Sequence, residues 1–230
     1  MAITYVMALS CSLWPQAQAL QSGDRSYMRQ CHLGALSHFE LTGKTIGLIG
    51  GLGTIGLRVA AMAHALGLRV VASSTSAPLG VRRDDGIEVV SFDDLMSSAD
   101  FVSVHCPLNA ATKGLVDARA IALMKPSAYI LNTARGAIID QQALIDALGE
   151  RRIAGAALDV FGEGSAPPPP LAEGSGLYAL DNVILTPHIG WQRLEARQRV
   201  VDMCADNVQA FARDGMGNID LESGRPRSRA

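Results

Sequence analysis

The chain has 230 residues, of which 48% are hydrophobic and 18% charged, with a formal net charge of -2. That length and apolar content suit one large domain with a sizeable buried core, or one domain plus extensions. Near-neutral charge with both signs interspersed argues against nucleic acid or an anionic membrane as the main partner.

The N-terminal stretch MAITYVMALSCSLWPQAQA ends in small residues resembling a cleavage site. It has no basic leading region, however, and Thr4, Tyr5 and Ser10 break its apolar run. An amphipathic helix fits it better than a secretory leader. No window approaches the ~20 apolar residues of a membrane span. The four cysteines, Cys11, Cys31, Cys106 and Cys204, contain no CxxC pair. Neither a metal site nor a disulfide framework is expected, and the thiols read as those of a reduced, cytoplasmic protein.

Past residue 43, short apolar runs alternate with helical segments. The runs are TIGLI (45–49), RVVAS (69–73), IEVV (87–90), FVSVH (101–105), AYILN (128–132), IAGAAL (153–158) and NVILT (182–186). Several are continuously apolar, as strands buried on both faces of a parallel sheet must be. Between them, Ser91 with Asp94 resembles a capping box, Asp117 opens DARAIALM, and Asp140 opens DQQALIDALGERR, whose basic end suits a helix C-terminus. Repeated strand–helix–strand order predicts an α/β fold, a doubly wound parallel sheet of Rossmann-like type. The stretch GEGSAPPPPLAEGSG (162–176) reads as an exposed loop, about 193–213 as a long closing helix, and 217–230 as a frayed tail. The expected organisation is a leading helix and linker over 1–40, a dinucleotide-binding domain over 41–190, and a C-terminal helix and tail over 191–230.

KTIGLIGGLGTIGLRV (44–59) places Gly51, Gly53 and Gly56 in a GxGxxG pattern directly after a strand and before a helix. Gly51 would make the tight turn, Gly53 would let the backbone approach a pyrophosphate, and Gly56 would let helix and strand pack closely. The helix N-terminus offers N–H groups to phosphates. Gly50 stands as an extra glycine that loosens the turn. The ribose is normally held by a carboxylate at the end of the next strand. Here Ser73, Ser74 and Thr75 occupy that place, with Arg82 and Arg83 beyond. Lacking a carboxylate to repel a 2′-phosphate, the site admits NAD or NADP with a slight tilt to NADP.

Three later stretches put polar groups at strand ends: Arg135 in NTARG (132–136), Asp159 in ALDVFGEG (157–164) and His188 in LTPHIGW (185–191). Ligands of open α/β sheets bind outside the carboxyl ends of strands. An arginine fork matches a carboxylate, and an imidazole can move a proton near neutral pH. Together they suit a 2-oxo or 2-hydroxy acid.

KTIGLIGGLGTIG, DFVSVHCPLNAATKGLV, LMKPSAYILNTARGAIID, IAGAALDVF and VILTPHIGW resemble, in order and spacing, the D-isomer-specific 2-hydroxyacid dehydrogenases, and more narrowly their glycerate dehydrogenase/hydroxypyruvate reductase branch. The resemblance covers about residues 5 to 213. It implies that Thr54 and Ile55 sit at the pyrophosphate turn and Ser74 at the ribose-selecting position. Pro107 and Thr112 would line the nicotinamide side, and Thr133 and Asp159 flank its carboxamide. Arg135 would grip the 2-oxoacid and His188 would donate the proton.

The family pairs its histidine with a glutamate five residues after the aspartate of LDVF, before a proline. Here that position is Gly164, followed by Ser165, and Glu163, one residue early, is the candidate catalytic replacement. The resemblance further implies that most of the family's second, substrate domain is missing, and that the apolar ITYVMALSCSLW (3–14) needs a partner, making a homodimer. The implied activity is hydride transfer between NAD(P)H and a small 2-oxoacid or 2-hydroxyacid such as glyoxylate or hydroxypyruvate. The alternative is a non-catalytic dinucleotide-binding and dimerisation module.

Overall fold

A computed structural model describes residues 1–24, 38–162 and 176–214. The chain divides into two compact units, Met1–His188 and Ile189–Ala230.

The first unit is built on seven strands: β1 (Thr45–Ile49), β2 (Arg69–Ser73), β3 (Glu88–Val89), β4 (Phe101–Val104), β5 (Tyr129–Asn132), β6 (Gly155–Leu158) and β7 (Val183–Leu185). All neighbours pair parallel, in the order β3-β2-β1-β4-β5-β6-β7. Every residue of β1, β4, β5 and β6 is buried, which is why these central strands read as unbroken apolar runs. The edges are shorter: β3 keeps two residues of the four expected and β7 three of five.

Side chains alternate between two cores, one on each face of the sheet. Phe101, Tyr129, Leu131 and Ala157 face one core, together with Val59, Ala60 and Ala63 of α3 (Thr54–Ala65). Val102, Ile130, Ala156 and Leu158 face the other. That second core is closed by Leu95 and Met96 of α4 (Phe92–Ser98), Ile121 of α5 (Ala118–Ala122), and Leu144, Ala147 and Leu148 of α6 (Gln141–Gly149). The doubly wound sheet expected from the strand–helix alternation is therefore present.

Each of α4, α5 and α6 begins where the sequence predicts. The Ser91 hydroxyl accepts from the Asp94 N–H and donates to the Asp94 carboxylate. Asp117 accepts from the Ala120 N–H and Asp140 from the Ala143 N–H. These side chains satisfy donors that the first helical turn leaves without partners.

The leading segment departs from expectation in one way. It forms two helices, α1 (Ala2–Ser10) and α2 (Leu13–Gln21), instead of one. Ser12 takes a left-handed φ of 47° between them. Pro15 has no N–H to continue the ladder, and the Gln16 side-chain amide donates to the Cys11 carbonyl at 2.6 Å instead. Part of the apolar surface of α1 is buried within its own chain. Ala2, Tyr5, Val6 and Leu9, at helical spacing, are buried in the same core as Phe101 and Tyr129. Met7, Leu13, Trp14 and Leu20 remain exposed.

The second unit contributes α7 (Leu194–Asp214), within one residue of the expected span at each end. Its apolar residues Leu194, Val200, Val201, Met203, Val208 and Phe211 are exposed. The Pro-rich stretch (bar Gly162 and Gly176) and the tail expected over 217–230 lie outside the described residues.

Phe101, fully buried and 5.6 Å centroid to centroid from Tyr129, anchors the core shared by α1 and α3. Phe101→Ala is expected to cost about 3–5 kcal/mol in urea unfolding, the range for aromatic-to-alanine cavities.

Candidate functional site

The glycine turn joins β1 to α3. The Gly50 N–H donates to the Ser73 carbonyl at 2.8 Å, and Gly51 N–H to Leu48 carbonyl at 3.2 Å, fixing the turn against the end of β2. Gly50 is not a loosening insertion. Its φ is +75°, and a Cβ there would stand 2.7 Å from the Cys106 backbone, so the position demands glycine. A Cβ on Gly56 would lie 2.3 Å from the Gly51 carbonyl oxygen, which is the close helix–strand approach read from the motif. Gly53 differs: the nearest atom to its Cβ would be 3.7 Å away, and it is exposed, as are Thr54 and Ile55.

Unlike α4, α5 and α6, the helix α3 has no side-chain cap, and its first turn carries no acidic residue. Its leading N–H groups and positive dipole end therefore remain available to an anion. An open glycine, an uncapped helix start and a missing carboxylate together fit a dinucleotide pyrophosphate.

Ser74 follows β2 directly, where a ribose-selecting side chain belongs; its hydroxyl lies 2.7 Å from that of Ser76. Arg83 is engaged by Asp85, with both carboxylate oxygens 3.0–3.2 Å from its guanidinium nitrogens. That ion pair raises the guanidinium and lowers the carboxyl from their ordinary values. The sequence argument for a 2′-phosphate partner at Arg83 is thereby weakened. Pro107 and Thr112 lie in the loop after β4, which closes on itself: Thr112 donates to the Pro107 carbonyl at 2.6 Å and accepts from the Asn109 N–H at 2.9 Å. Beside this loop His105 lies 2.9 Å from the Ser103 hydroxyl, and burial pushes it down to about 4. It is therefore neutral at physiological pH.

The three loops with the predicted chemistry follow β5, β6 and β7. Register brings Asn132, Leu158 and Leu185 level across these strands. Beyond them, the His188 N–H donates to the Asp159 and Thr186 carbonyls, each at 3.0 Å. These bonds hold His188 at a φ of 54°, unusual for a residue with a side chain. The NTARG loop lies close as well, since a Cβ on Gly136 would fall 2.5 Å from the Gly162 carbonyl oxygen. Asp159 and His188 are thus tied directly. Arg135 stands on the adjacent loop, exposed, and its guanidinium donates to the Ala134 carbonyl at 2.7 Å. Thr133, half-buried, directly follows β5. Glu163 lies outside the described residues.

With this geometry in place, the comparisons decide the family. Residues 3–190 match the model of the D-isomer specific 2-hydroxyacid dehydrogenase NAD binding domain. The chain belongs to that dehydrogenase family. It is 42% identical to a glyoxylate reductase of Aeropyrum pernix over 75% of this chain and 50% of the relative. It is 34% identical to a glycerate dehydrogenase of Methylorubrum extorquens over 93% of this chain and 64% of the relative. Among solved structures it resembles an acyclic imino acid reductase, Bsp5, in complex with NADPH and D-Arg, with 31% identity and a TM-score of 0.78 over 94% of this chain and 64% of that one. A D-lactate dehydrogenase of Lactobacillus jensenii with NAD+ gives 30% identity and a TM-score of 0.79 over 93% and 64%. The chain spans about half the length of the glyoxylate reductases it matches. Both NAD+ and NADPH occur among these dehydrogenase-fold neighbours, so they do not discriminate between the two cofactors.

Several residues that hold these loops together escaped the sequence reading. Asn132, 1% exposed, accepts from the Ala134 N–H at 3.0 Å and donates to the Arg135 carbonyl at 2.8 Å, shaping the loop that carries Arg135. Gln141 accepts from the Gly162 N–H at 2.7 Å and steadies the loop after Asp159. Thr186 donates to the Asp159 carboxylate, and the Tyr5 hydroxyl lies 2.5 Å from Thr186 Oγ1. A polar side chain inside an otherwise apolar strand end, as in Asn132, was the available signal. Tyr5 gave none, because an aromatic on a helix face reads as core.

Two outcomes follow from these positions. Gly56→Ala is expected to lower stability by roughly 1–3 kcal/mol through overpacking, whereas Gly53→Ala leaves stability within ~0.5 kcal/mol yet weakens dinucleotide binding at least ~10-fold by filling the approach. Urea titration and cofactor fluorescence separate the two effects. The Tyr5 hydroxyl is pushed up to about 12, chiefly by burial, with its bond to Thr186 opposing and the Asp159 charge adding. The fold therefore favours the neutral phenol. That stabilisation is complete below pH 10, the ordinary value, and lost as pH rises toward about 12. Melting temperatures across pH 8–12 should fall more steeply for the parent than for Tyr5→Phe.

Proposed function

We propose that the chain carries the dinucleotide-binding and proton-transfer half of an NAD(P)-dependent reductase acting on small 2-oxoacids of the glyoxylate or hydroxypyruvate type. The supporting observation is the backbone bond from His188 N–H to the Asp159 carbonyl. It ties the backbone of the residue that bears the imidazole to the backbone of the residue that bears a buried carboxylate. Both stand just past the carboxyl ends of the strands, the edge of the sheet at which the glycine turn also lies.

In this reading, Thr54 and Ile55 N–H groups hold the pyrophosphate, Ser74 meets the ribose, and Pro107 and Thr112 line the ring. Thr133 and Asp159 accept from the carboxamide. A bound nicotinamide supplies or accepts the hydride. Arg135 grips the substrate carboxylate once its guanidinium leaves the Ala134 carbonyl. His188 gives a proton to the substrate carbonyl oxygen during reduction and takes it back in the reverse direction. A cytoplasmic homodimer joined through Met7, Leu13, Trp14 and Leu20, the exposed apolar residues of α1 and α2, completes the reading.

The test is absorbance at the nicotinamide band with glyoxylate or hydroxypyruvate. Turnover should appear, and His188→Asn should reduce it by ~10²-fold or more, the usual contribution of a general acid, while cofactor affinity stays within ~3-fold (about 0.7 kcal/mol, the scale of additivity error). Dinucleotide binding without turnover in the parent would select the non-catalytic module instead. Light scattering at micromolar concentration should give twice the chain mass; a monomer would remove the homodimer from the reading.

A further inference from the structure

We infer that Tyr5, on the leading helix, is a positioning residue for the nicotinamide end of the site, acting through Thr186 on Asp159. The inference rests on the functional reading above, in which Asp159 accepts from the cofactor carboxamide.

The argument starts from a proton count. Thr186 has one hydroxyl proton, and it goes to the Asp159 carboxylate. The contact of 2.5 Å between Tyr5 and Thr186 must then be filled by the Tyr5 proton, so Tyr5 donates and Thr186 accepts. The chain of hydroxyls runs in one direction and ends on a carboxylate. Such a chain polarises each member and fixes the rotamer of the middle one. Tyr5 keeps its proton across the working pH range because burial holds the phenol near 12.

Each end of the chain is rigidly held. Tyr5 is 2% exposed and Asp159 1% exposed. Thr186 N–H donates to the Leu158 carbonyl at 2.9 Å, and the Thr186 carbonyl accepts from the His188 N–H. The same threonine therefore connects β6, the Asp159 carboxylate and the turn bearing His188. A phenol reaching it from α1, 181 residues away in sequence, makes the leading helix a strut of the site. Without that donor, Thr186 Oγ1 keeps only its bond to Asp159 and is no longer braced from α1. The carboxylate to which the functional reading gives the carboxamide would then be held less firmly in direction.

The test compares NAD+ or NADP+, whichever binds the full 230-residue chain more tightly, with its 3-acetylpyridine analogue, in which a methyl group replaces the carboxamide NH2. In the parent the natural dinucleotide should bind ~10-fold tighter or more, as expected for a hydrogen bond to a charged acceptor. Tyr5→Phe should shrink that ratio at least ~3-fold, and Thr186→Val should collapse it toward ~1, by removing the donor that aims the carboxylate. Thr186→Ser, which keeps the hydroxyl, should restore the parent ratio. A purely structural tyrosine would change melting temperature, or both affinities alike, without moving the ratio; that result overturns this inference alone. A parent that binds both dinucleotides equally also overturns it. A parent that binds neither overturns the functional reading together with it.

Discussion

The parallel register of β5, β6 and β7 is the constraint on which the site depends. It brings Asn132, Leu158 and Leu185 level, so the next residues of three distant segments emerge side by side. Parallel pairing itself comes from strands apolar on both faces, each returned to the sheet through a crossover. A one-residue slip in β6 would exchange Ala157 and Leu158 between the two cores and turn Asp159 away from Thr186. Packing of small and large residues in those cores is therefore what sets the polar geometry above them.

The other half of the site is governed by where caps are present and where they are lacking. Ser91, Asp117 and Asp140 close the starts of α4, α5 and α6 with their own oxygens. The start of α3 has none, and its neighbours are glycines. Capping a helix with a side chain adds about 1 kcal/mol of stability. Leaving α3 without such a cap gives that up and keeps a concentrated set of N–H donors for a ligand.

Much of this was legible in the sequence because it is written in local patterns. Strand cores, helix caps and the glycine turn each follow from a few neighbouring residues, and Arg135, Asp159 and His188 could be placed by the rule that ligands meet strand ends. What escaped is non-local. Tyr5 reaches Thr186 only once α1 has packed on the sheet, and Gly50 shows its need for glycine only when Cys106 is beside it. The leading segment is non-local for a related reason. Ala2, Tyr5, Val6 and Leu9 enter the chain's own core while Met7, Leu13 and Trp14 stay exposed, and a hydrophobic pattern alone does not say which residues go where. Pro15 was visible throughout, and the loss of its N–H is enough to end α1 early.

Cys106 closes the back of the glycine turn, touching Gly50, with 8% of its surface exposed. Burial raises its thiol, and a thiol that stays protonated is a poor nucleophile. Oxidants and alkylating agents will meet Cys204, exposed on the second unit, long before they reach it. The thiol packed behind the glycine turn is thus shielded both by burial and by its raised pKa from the chemistry that an exposed cysteine meets first.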